Sequence, residues 1–133
     1  MKYDNVKEII EEIGKIIDEC SALVRRLGED VDSSVNDWAK MLVFSECAFY
    51  IRYRVEVCAD LLWVEGRMEN EKDVFWIKKI QKEHLESLNE EIESFIFRIR
   101  TWKFEDYRCR DWLKKMEDIL LGIKEFYEPA CKE

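Results

Sequence analysis

The chain has 133 residues, 47% of them hydrophobic and 39% charged, and a formal net charge of −8. This apolar content is too high for a disordered chain, and the length suits one domain, 1–133, with a buried core. Apolar runs stay well short of the roughly 20 residues that a membrane-spanning helix needs, and the first residues lack the apolar stretch of a signal peptide. We therefore expect a soluble, cytoplasmic protein. Its single glutamine and single threonine, beside abundant Glu, Lys and Arg, resemble the composition of thermophile proteins.

Helix-breaking residues are scarce through most of the chain. The only glycines between Val35 and Lys124 are Gly66 and Gly122, and the single proline lies beyond this span. Apolar residues recur there at three- and four-residue steps, which is typical of amphipathic helices. The sequence therefore predicts an all-helical protein.

Four helical segments follow from this periodicity, over about 4–27, 34–65, 73–103 and 106–127. Because short connections favour antiparallel neighbours, we predict an antiparallel up-down four-helix bundle with two long central helices. Gly28 suits the position just past the first helix, and Pro129 should end the fourth. The cap of the second helix should be one of three residues, Asp32, Ser33 or Ser34. The turn near 104–106 contains neither glycine nor proline, so a bent continuous helix is also consistent with the sequence.

The second segment is apolar on two sides. One stripe contains Phe44, Ile51, Val55 and Leu62. A second stripe, about 100° around the helix, contains Val43, Cys47, Tyr50, Val57, Leu61 and Val64. A helix with neighbours on two sides needs such a surface, so we predict that this helix is the centre of the core. We expect the first stripe to be nearly fully buried and surrounded by Ile13, Ile17, Leu88, Ile92, Met116 and Leu120.

The five cysteines are dispersed and form no Cys-x-x-Cys pair: Cys20, Cys47, Cys58, Cys109 and Cys131. The first three lie on apolar faces of helical segments, where a free cysteine behaves as a small hydrophobic residue. A zinc site needs a clustered set of ligands. We therefore predict no metal and no cofactor.

Two acidic stretches resemble the magnesium sites of all-helical nucleotide pyrophosphohydrolases of the MazG type. That family uses a Glu-Glu-x-x-Glu helix followed by a Glu-x-x-Asp helix. Glu11 and Glu12 match the start of the first motif, and Glu56 and Asp60 are similar to the second. Lys15 replaces the third carboxylate, however, and a cation opposes the binding of magnesium. This activity is kept as a secondary alternative, and the four carboxylates are interpreted as solvated helix faces.

The only histidine, His84, has Gln81 at the position where di-iron bundles carry the glutamate of Glu-x-x-His. HEPN-type helical ribonucleases are similar in size and form, but they place an arginine a few residues before a histidine. No arginine precedes His84 at that spacing. We interpret His84 and Gln81 as buried, hydrogen-bonded polar residues, and we predict that the protein is not an enzyme.

Arg54 lies on the second apolar stripe of the second segment. A charge there is costly unless it is paired or reaches solvent. Two interpretations are open. Either the long side chain extends to the rim, or it forms an ion pair with a glutamate of another helix and fixes the helix register.

A basic and aromatic stretch spans 98–115. Its cations are Arg98, Arg100, Lys103, Arg108, Arg110, Lys114 and Lys115, and Trp102, Phe104, Tyr107 and Trp112 lie among them. Single-strand binding proteins combine such charges with aromatic stacking surfaces. The main interpretation is that the two tryptophans are core residues. Nucleic-acid binding through this stretch is the first alternative function.

Unequal helix lengths predict a projecting end. At 1.5 Å per residue the two central segments are about 45–50 Å long and the outer ones about 32–36 Å, so the central hairpin should project by roughly 10–15 Å. The apolar residues at this end are Leu61, Trp63, Val64, Met68, Val74, Phe75, Trp76 and Ile77. Clustered aromatic residues and methionine are typical of contact surfaces. We therefore predict a non-catalytic interaction protein that binds a protein partner or a second copy through Leu61, Trp63, Val64, Met68, Phe75 and Trp76, with no small-molecule substrate.

Overall fold

The computed structural model describes residues 1–131 and contains four helices. Helix α1 spans Val6–Glu29, α2 spans Val35–Glu65, α3 spans Glu71–Thr101 and α4 spans Tyr107–Cys131. Contacts join each helix to the next and α1 to α4. The predicted antiparallel up-down bundle with two long central helices is confirmed. Within the described residues, no helix is both long and apolar enough to cross a membrane.

Each helix begins after a polar residue whose side chain accepts a hydrogen bond from a backbone N–H of the first turn. These residues are Asn5, Ser34, Asn70 and Asp106. Such a side chain satisfies one of the N–H groups that have no partner within the helix. Ser34 is one of the three caps predicted for α2.

Two predicted helix ends are wrong by a few residues. Helix α1 continues through Gly28 to Glu29, with the Asp30 N–H donating to Arg26 O at 3.0 Å. The indole of Trp38 packs against Gly28, where a Cβ would lie 3.1 Å from Cζ2. Helix α4 runs through Pro129 to Cys131. The fixed φ of proline is compatible with a helix, and Pro129 lies in the last turn, where the missing N–H disturbs little of the helix.

The core follows the first stripe of α2. Phe44, Ile51 and Val55 are buried as predicted. All six residues predicted to surround them are also buried: Ile13, Ile17, Leu88, Ile92, Met116 and Leu120. The Phe44 ring lies 5.3 Å from that of Phe95 and 5.0 Å from that of Trp102, centroid to centroid. This aromatic cluster fills the end of the core nearest the α3–α4 turn.

The prediction that Leu62 is buried is wrong, since 55% of it is exposed. The second stripe of α2 is also covered only in part: Tyr50 is 54% exposed, and Val43 and Val64 are exposed too. Helical periodicity identifies an apolar face, but it does not show where the neighbouring helices end.

The α3–α4 turn is fixed by a residue from another helix. Asp37 of α2 is buried, and its carboxylate accepts hydrogen bonds from the backbone N–H groups of Glu105, at 3.1 Å, and Asp106, at 2.8 Å. Lys40 Nζ also donates to Lys103 O at 2.6 Å. The chain therefore turns without glycine or proline, and the alternative of a bent continuous helix is excluded.

Candidate functional site

The end of α2 passes the start of α1. Cys20 Sγ of α1 lies 4.0 Å from the backbone carbonyl of Met41 in α2. Because this side chain is short, antiparallel counting from the contact brings Val6, the first residue of α1, close to the level of Val55. Residues 56–65 of α2 therefore extend beyond α1 by about 15 Å.

The start of α3 projects further beyond the end of α4. Lys124 Nζ of α4 lies 3.2 Å from Glu93 Oε1 of α3. The same antiparallel count brings Cys131 level with Glu86, so that residues 71–85 extend beyond α4 by roughly 20 Å. We call residues 61–77 the hairpin end.

Large apolar side chains are exposed on the hairpin end. Trp63 is 60% exposed, Phe75 76% and Trp76 59%. Val64 is also exposed, Leu61, Met68 and Val74 are half-buried, and Ile77 is buried. All six residues predicted to bind a partner thus lie at one end of the bundle, while their role in binding stays a prediction.

The two helices of the hairpin end are tied together by polar contacts. Gln81 Nε2 of α3 donates to Leu61 O of α2 at 3.3 Å and to Glu65 Oε2 at 3.1 Å. Lys78 Nζ lies 3.8 Å from Glu65 Oε1. These contacts hold the two helices that carry the exposed apolar residues in a fixed relation to each other.

The guanidinium of Arg67 covers one face of Trp63. Its Cζ lies 3.3 Å from the ring centroid, and Nη1 donates to Trp63 O at 3.3 Å. This cation–π contact places a positive charge against one face of the exposed indole. Exposed tryptophan and arginine are the residue types most enriched among the energetically dominant residues of protein interfaces.

A cleft of about 510 Å³ lies at the foot of the hairpin end, where α4 stops. Leu62 and Leu85 form part of its wall, Tyr127 of α4 also lines it, and two lysines and two glutamates balance each other around it. The Tyr127 hydroxyl is enclosed and has no hydrogen-bond partner. Burial raises the pKa of this hydroxyl above its usual range. This cleft was not predicted from the sequence, although the different points at which α2 and α4 end indicate it.

Arg54 forms the interhelical ion pair that was one of its two predicted roles. Its Nε lies 3.1 Å from Glu91 Oε1 of α3, and its Nη1 lies 2.9 Å from His84 Nδ1. The Arg54 side chain is 27% exposed and that of Glu91 31%. His84 and Gln81 are thus both half-buried and hydrogen-bonded, each to α2. This polar cluster links α2 to α3 just below the hairpin end.

The basic and aromatic stretch is largely engaged in contacts within the protein. Arg108 is bound to Asp106 at 2.6 Å, and Arg100 to Glu117 at 2.6 Å. Arg98 Nη1 lies 3.3 Å from Cys47 Sγ, and Arg110 Nη1 donates to Phe104 O at 3.0 Å. Lys103 and Lys114 are exposed. Several of these cations therefore have local partners already.

The aromatic residues of that stretch are mostly part of the core. Trp112 and Phe104 are buried, and Trp112 Nε1 donates to Ile16 O at 2.9 Å. Trp102 is half-buried against Phe44. Tyr107, which is 65% exposed, is the one ring of this group that is open to a nucleobase.

The acidic residues that resemble the MazG-type motifs do not assemble into a metal site. Glu12 is paired with Lys2 at 3.2 Å, and Glu56 with Arg52 at 3.0 Å. In residues 1–131, no group of three or more His, Cys, Asp or Glu side chains is arranged to hold a metal ion.

Three cysteine thiols are buried, and burial raises their pKa values. The pKa of Cys20 is about 12, that of Cys58 about 11 and that of Cys109 about 12. These thiols stay protonated at neutral pH and are poor nucleophiles. Cys131 is exposed and lines the cleft.

Comparisons with known protein families, with curated proteins and with solved structures find no match for this chain.

Proposed function

We propose that the protein is a non-catalytic interaction module and that the hairpin end is the surface that contacts its partner. The observation that carries this proposal is the exposure of Trp63, Phe75 and Trp76 on a projecting, internally braced pair of helices. Scattered exposed apolar residues are ordinary on protein surfaces, but a cluster at one projecting end favours an interface.

The alternative of nucleic-acid binding has weaker support. Arg100, Arg108 and Arg110 have carboxylate or carbonyl partners within the protein, Arg98 contacts the Cys47 sulfur, and the stacking surface is reduced to Tyr107. Nucleotide hydrolysis has weaker support as well, since the part of the chain that the structure describes gathers no group of three or more carboxylates that could hold magnesium. The proposed role as a subunit, adaptor or inhibitor of a larger complex needs neither site.

Paired charge substitutions at the hairpin end test the proposal. Trp63→Glu with Trp76→Glu should abolish binding of the partner protein recovered from the source cells, because a buried charge at the centre of an interface is costly. Phe97→Glu is the matched control, since Phe97 is 67% exposed on α3 but lies outside the hairpin end. Both variants should keep the helical circular dichroism of the unmodified protein.

Three outcomes would contradict the proposal. Retention of the partner by the double variant would show that the hairpin end is not the contact surface. Unfolding of the double variant would show that the two tryptophans support the bundle itself. Salt-sensitive binding of single-stranded RNA that is lost when Arg98, Arg100, Arg108 and Arg110 are changed to Gln would favour the nucleic-acid alternative.

A further inference from the structure

Helix α2 also carries an exposed apolar surface away from the hairpin end. A shallow groove runs along its solvent side and is lined by Leu42, Ser45, Glu46, Phe49, Tyr50 and Tyr53. Phe49 is 52% exposed and Tyr53 57%. We call these six residues the outer face of α2.

The residues that line the groove have the spacing of a helix–helix contact. Leu42, Ser45, Glu46 and Phe49 follow the i, i+3, i+4, i+7 spacing that forms one hole of helix–helix packing. Glu46, Phe49, Tyr50 and Tyr53 form the next hole by the same spacing. Two consecutive holes accept side chains from a helix that lies along α2.

We propose that this groove is filled by the outer face of α2 from a second copy of the chain, with the two helices antiparallel. The two-fold axis then passes between residues 47 and 48, the midpoint of the groove. Leu42 of each copy lies against Tyr53 of the other copy, and Ser45 lies against Tyr50 in the same way. This proposal concerns a surface separate from the hairpin end and does not depend on the function proposed for it.

The sizes of the side chains favour the antiparallel arrangement. The N-terminal half of the outer face carries the smaller residues Leu42 and Ser45, and the C-terminal half carries the aromatic rings. An antiparallel pair therefore sets Tyr53 against Leu42 and Tyr50 against Ser45, a larger side chain against a smaller one in each case. By the same count Phe49 lies against Glu46. A parallel pair would stack the rings of Phe49 and Tyr53 on themselves and leave a gap between the two serines.

Polar groups on the outer face also find partners in this arrangement. The Tyr50 hydroxyl of one copy lies near Ser45 and Glu46 of the other copy, both of which can accept a hydrogen bond. Tyrosine suits such a position because its ring is apolar and its tip is polar.

The exposed area is sufficient for a dimer. A fully exposed aromatic side chain has roughly 200 Å² of accessible surface that an interface can bury. The half-exposed rings of the outer face, together with Trp38, Leu42 and Val43, therefore offer about 600 Å² per copy. Two copies would bury about 1,200 Å², the lower end of the standard range for specific interfaces.

The dimer would carry its two hairpin ends far apart. Val64 lies about 25 Å along α2 from the proposed axis. The two copies of Val64 are then separated by about 50 Å and lie at opposite ends of the assembly. Such a dimer could bind two partner molecules at once.

Sedimentation equilibrium of the full chain tests the proposal. The unmodified protein should move from the monomer mass of 16.2 kDa to twice that value as its concentration rises through the micromolar range. Phe49→Glu should raise the dissociation constant at least tenfold. Phe97→Glu replaces an exposed phenylalanine on another helix. It should leave the constant unchanged, as should the hairpin variant Trp63→Glu with Trp76→Glu.

The arrangement is tested by the distance between spin labels on Val64→Cys, in a chain in which Cys47 and Cys131 are replaced by serine. A distance near 50 Å is expected, whereas a parallel dimer would give less than about 20 Å. A monomer at all concentrations, a short distance, or a dimer that Phe49→Glu leaves intact would overturn the proposal. If Phe49→Glu is poorly folded, Tyr53→Ser provides the same test without a new charge.

Discussion

At the scale of single residues, Asp37 holds the α3–α4 turn. Among Asp, Glu, Lys and Arg in residues 1–131, it is the one that is buried, and three N–H···O contacts to the α3–α4 turn satisfy its carboxylate. Asp37→Ala leaves those N–H groups without an acceptor, so we expect a loss of about 3 kcal/mol in the free energy of unfolding. Urea denaturation measures this loss.

Asp111→Ala is the control for Asp37→Ala, because Asp111 is an exposed carboxylate in the first turns of α4. We expect it to change the free energy of unfolding by less than about 0.5 kcal/mol. Equal effects of the two substitutions would show that the turn does not depend on Asp37.

The ion pair of Asp106 and Arg108 predicts how stability depends on pH. The hydrogen bond from the Arg108 side chain is the main cause that lowers the pKa of Asp106 below its usual range. Because the pKa is lower in the folded state than in the unfolded state, the pair stabilises the fold fully above the unfolded value of about 3.9. This stabilisation is lost as the pH falls through the folded pKa.

Asp106→Asn should therefore be less stable than the unmodified protein at pH 7, and the difference should shrink towards pH 2. The measurement is the free energy of unfolding of both proteins in urea at several pH values. A difference that does not change with pH would show that the loss comes from helix capping alone.

At the scale of helices, the glycines of α1 and α4 differ in what surrounds them. A Cβ at Gly14 meets nothing closer than Arg52 Nη1 at 4.0 Å, whereas a Cβ at Gly122 would lie 2.7 Å from Tyr3 Cε2. Gly14→Ala should stabilise the protein by about 0.8 kcal/mol through helix propensity. Gly122→Ala should destabilise it by about 1–3 kcal/mol, since the buried Tyr3 ring must move.

Thermal unfolding of the two glycine variants shows whether helix propensity or side-chain packing decides the change in stability at each position. If Gly122→Ala stabilises the protein as much as Gly14→Ala does, then the N-terminal segment does not pack on α4. Hydrogen exchange of the backbone amides near Tyr3 should rise in Gly122→Ala alone.

The helices could be predicted from the sequence, but several of their contacts could not. Periodicity located all four helices because each has an apolar face that repeats along its own length. The α3–α4 turn was uncertain because Asp37, which fixes it, lies on a different helix and has no local signature. The interhelical partner of Arg54 could be predicted only as a glutamate, since its identity depends on the register of α2 against α3.

The location of the hairpin end could be predicted from the sequence, but which apolar sides of α2 are covered could not. Unequal helix lengths indicated the hairpin end, and Trp63 and Trp76 are exposed there. The apolar surplus of α2 was interpreted as a need for two neighbours, whereas Leu42, Phe49 and Tyr53 of the outer face belong to neither of the two stripes. Periodicity cannot distinguish an apolar side covered by the same chain from one left for another molecule.

At the scale of the whole molecule, the bundle core stops partway along α2. Ile51 and Leu62 belong to the same stripe, yet Ile51 is 1% exposed and Leu62 is 55% exposed. The four-helix section encloses the first, whereas the second lies where α1 has ended. The same substitution at the two positions therefore measures how far the core extends.

Ile51→Ala should lower the free energy of unfolding by about 2–5 kcal/mol, because it removes buried methyl groups and leaves a cavity. Leu62→Ala should lower it by less than about 1 kcal/mol, since most of that side chain is already in contact with water. Urea titrations followed by circular dichroism at one protein concentration compare the two variants. A large loss for Leu62→Ala would mean that the hairpin end is covered in solution. The surface proposed to bind a partner would then be covered too. A small loss for Ile51→Ala would contradict the position of the core itself.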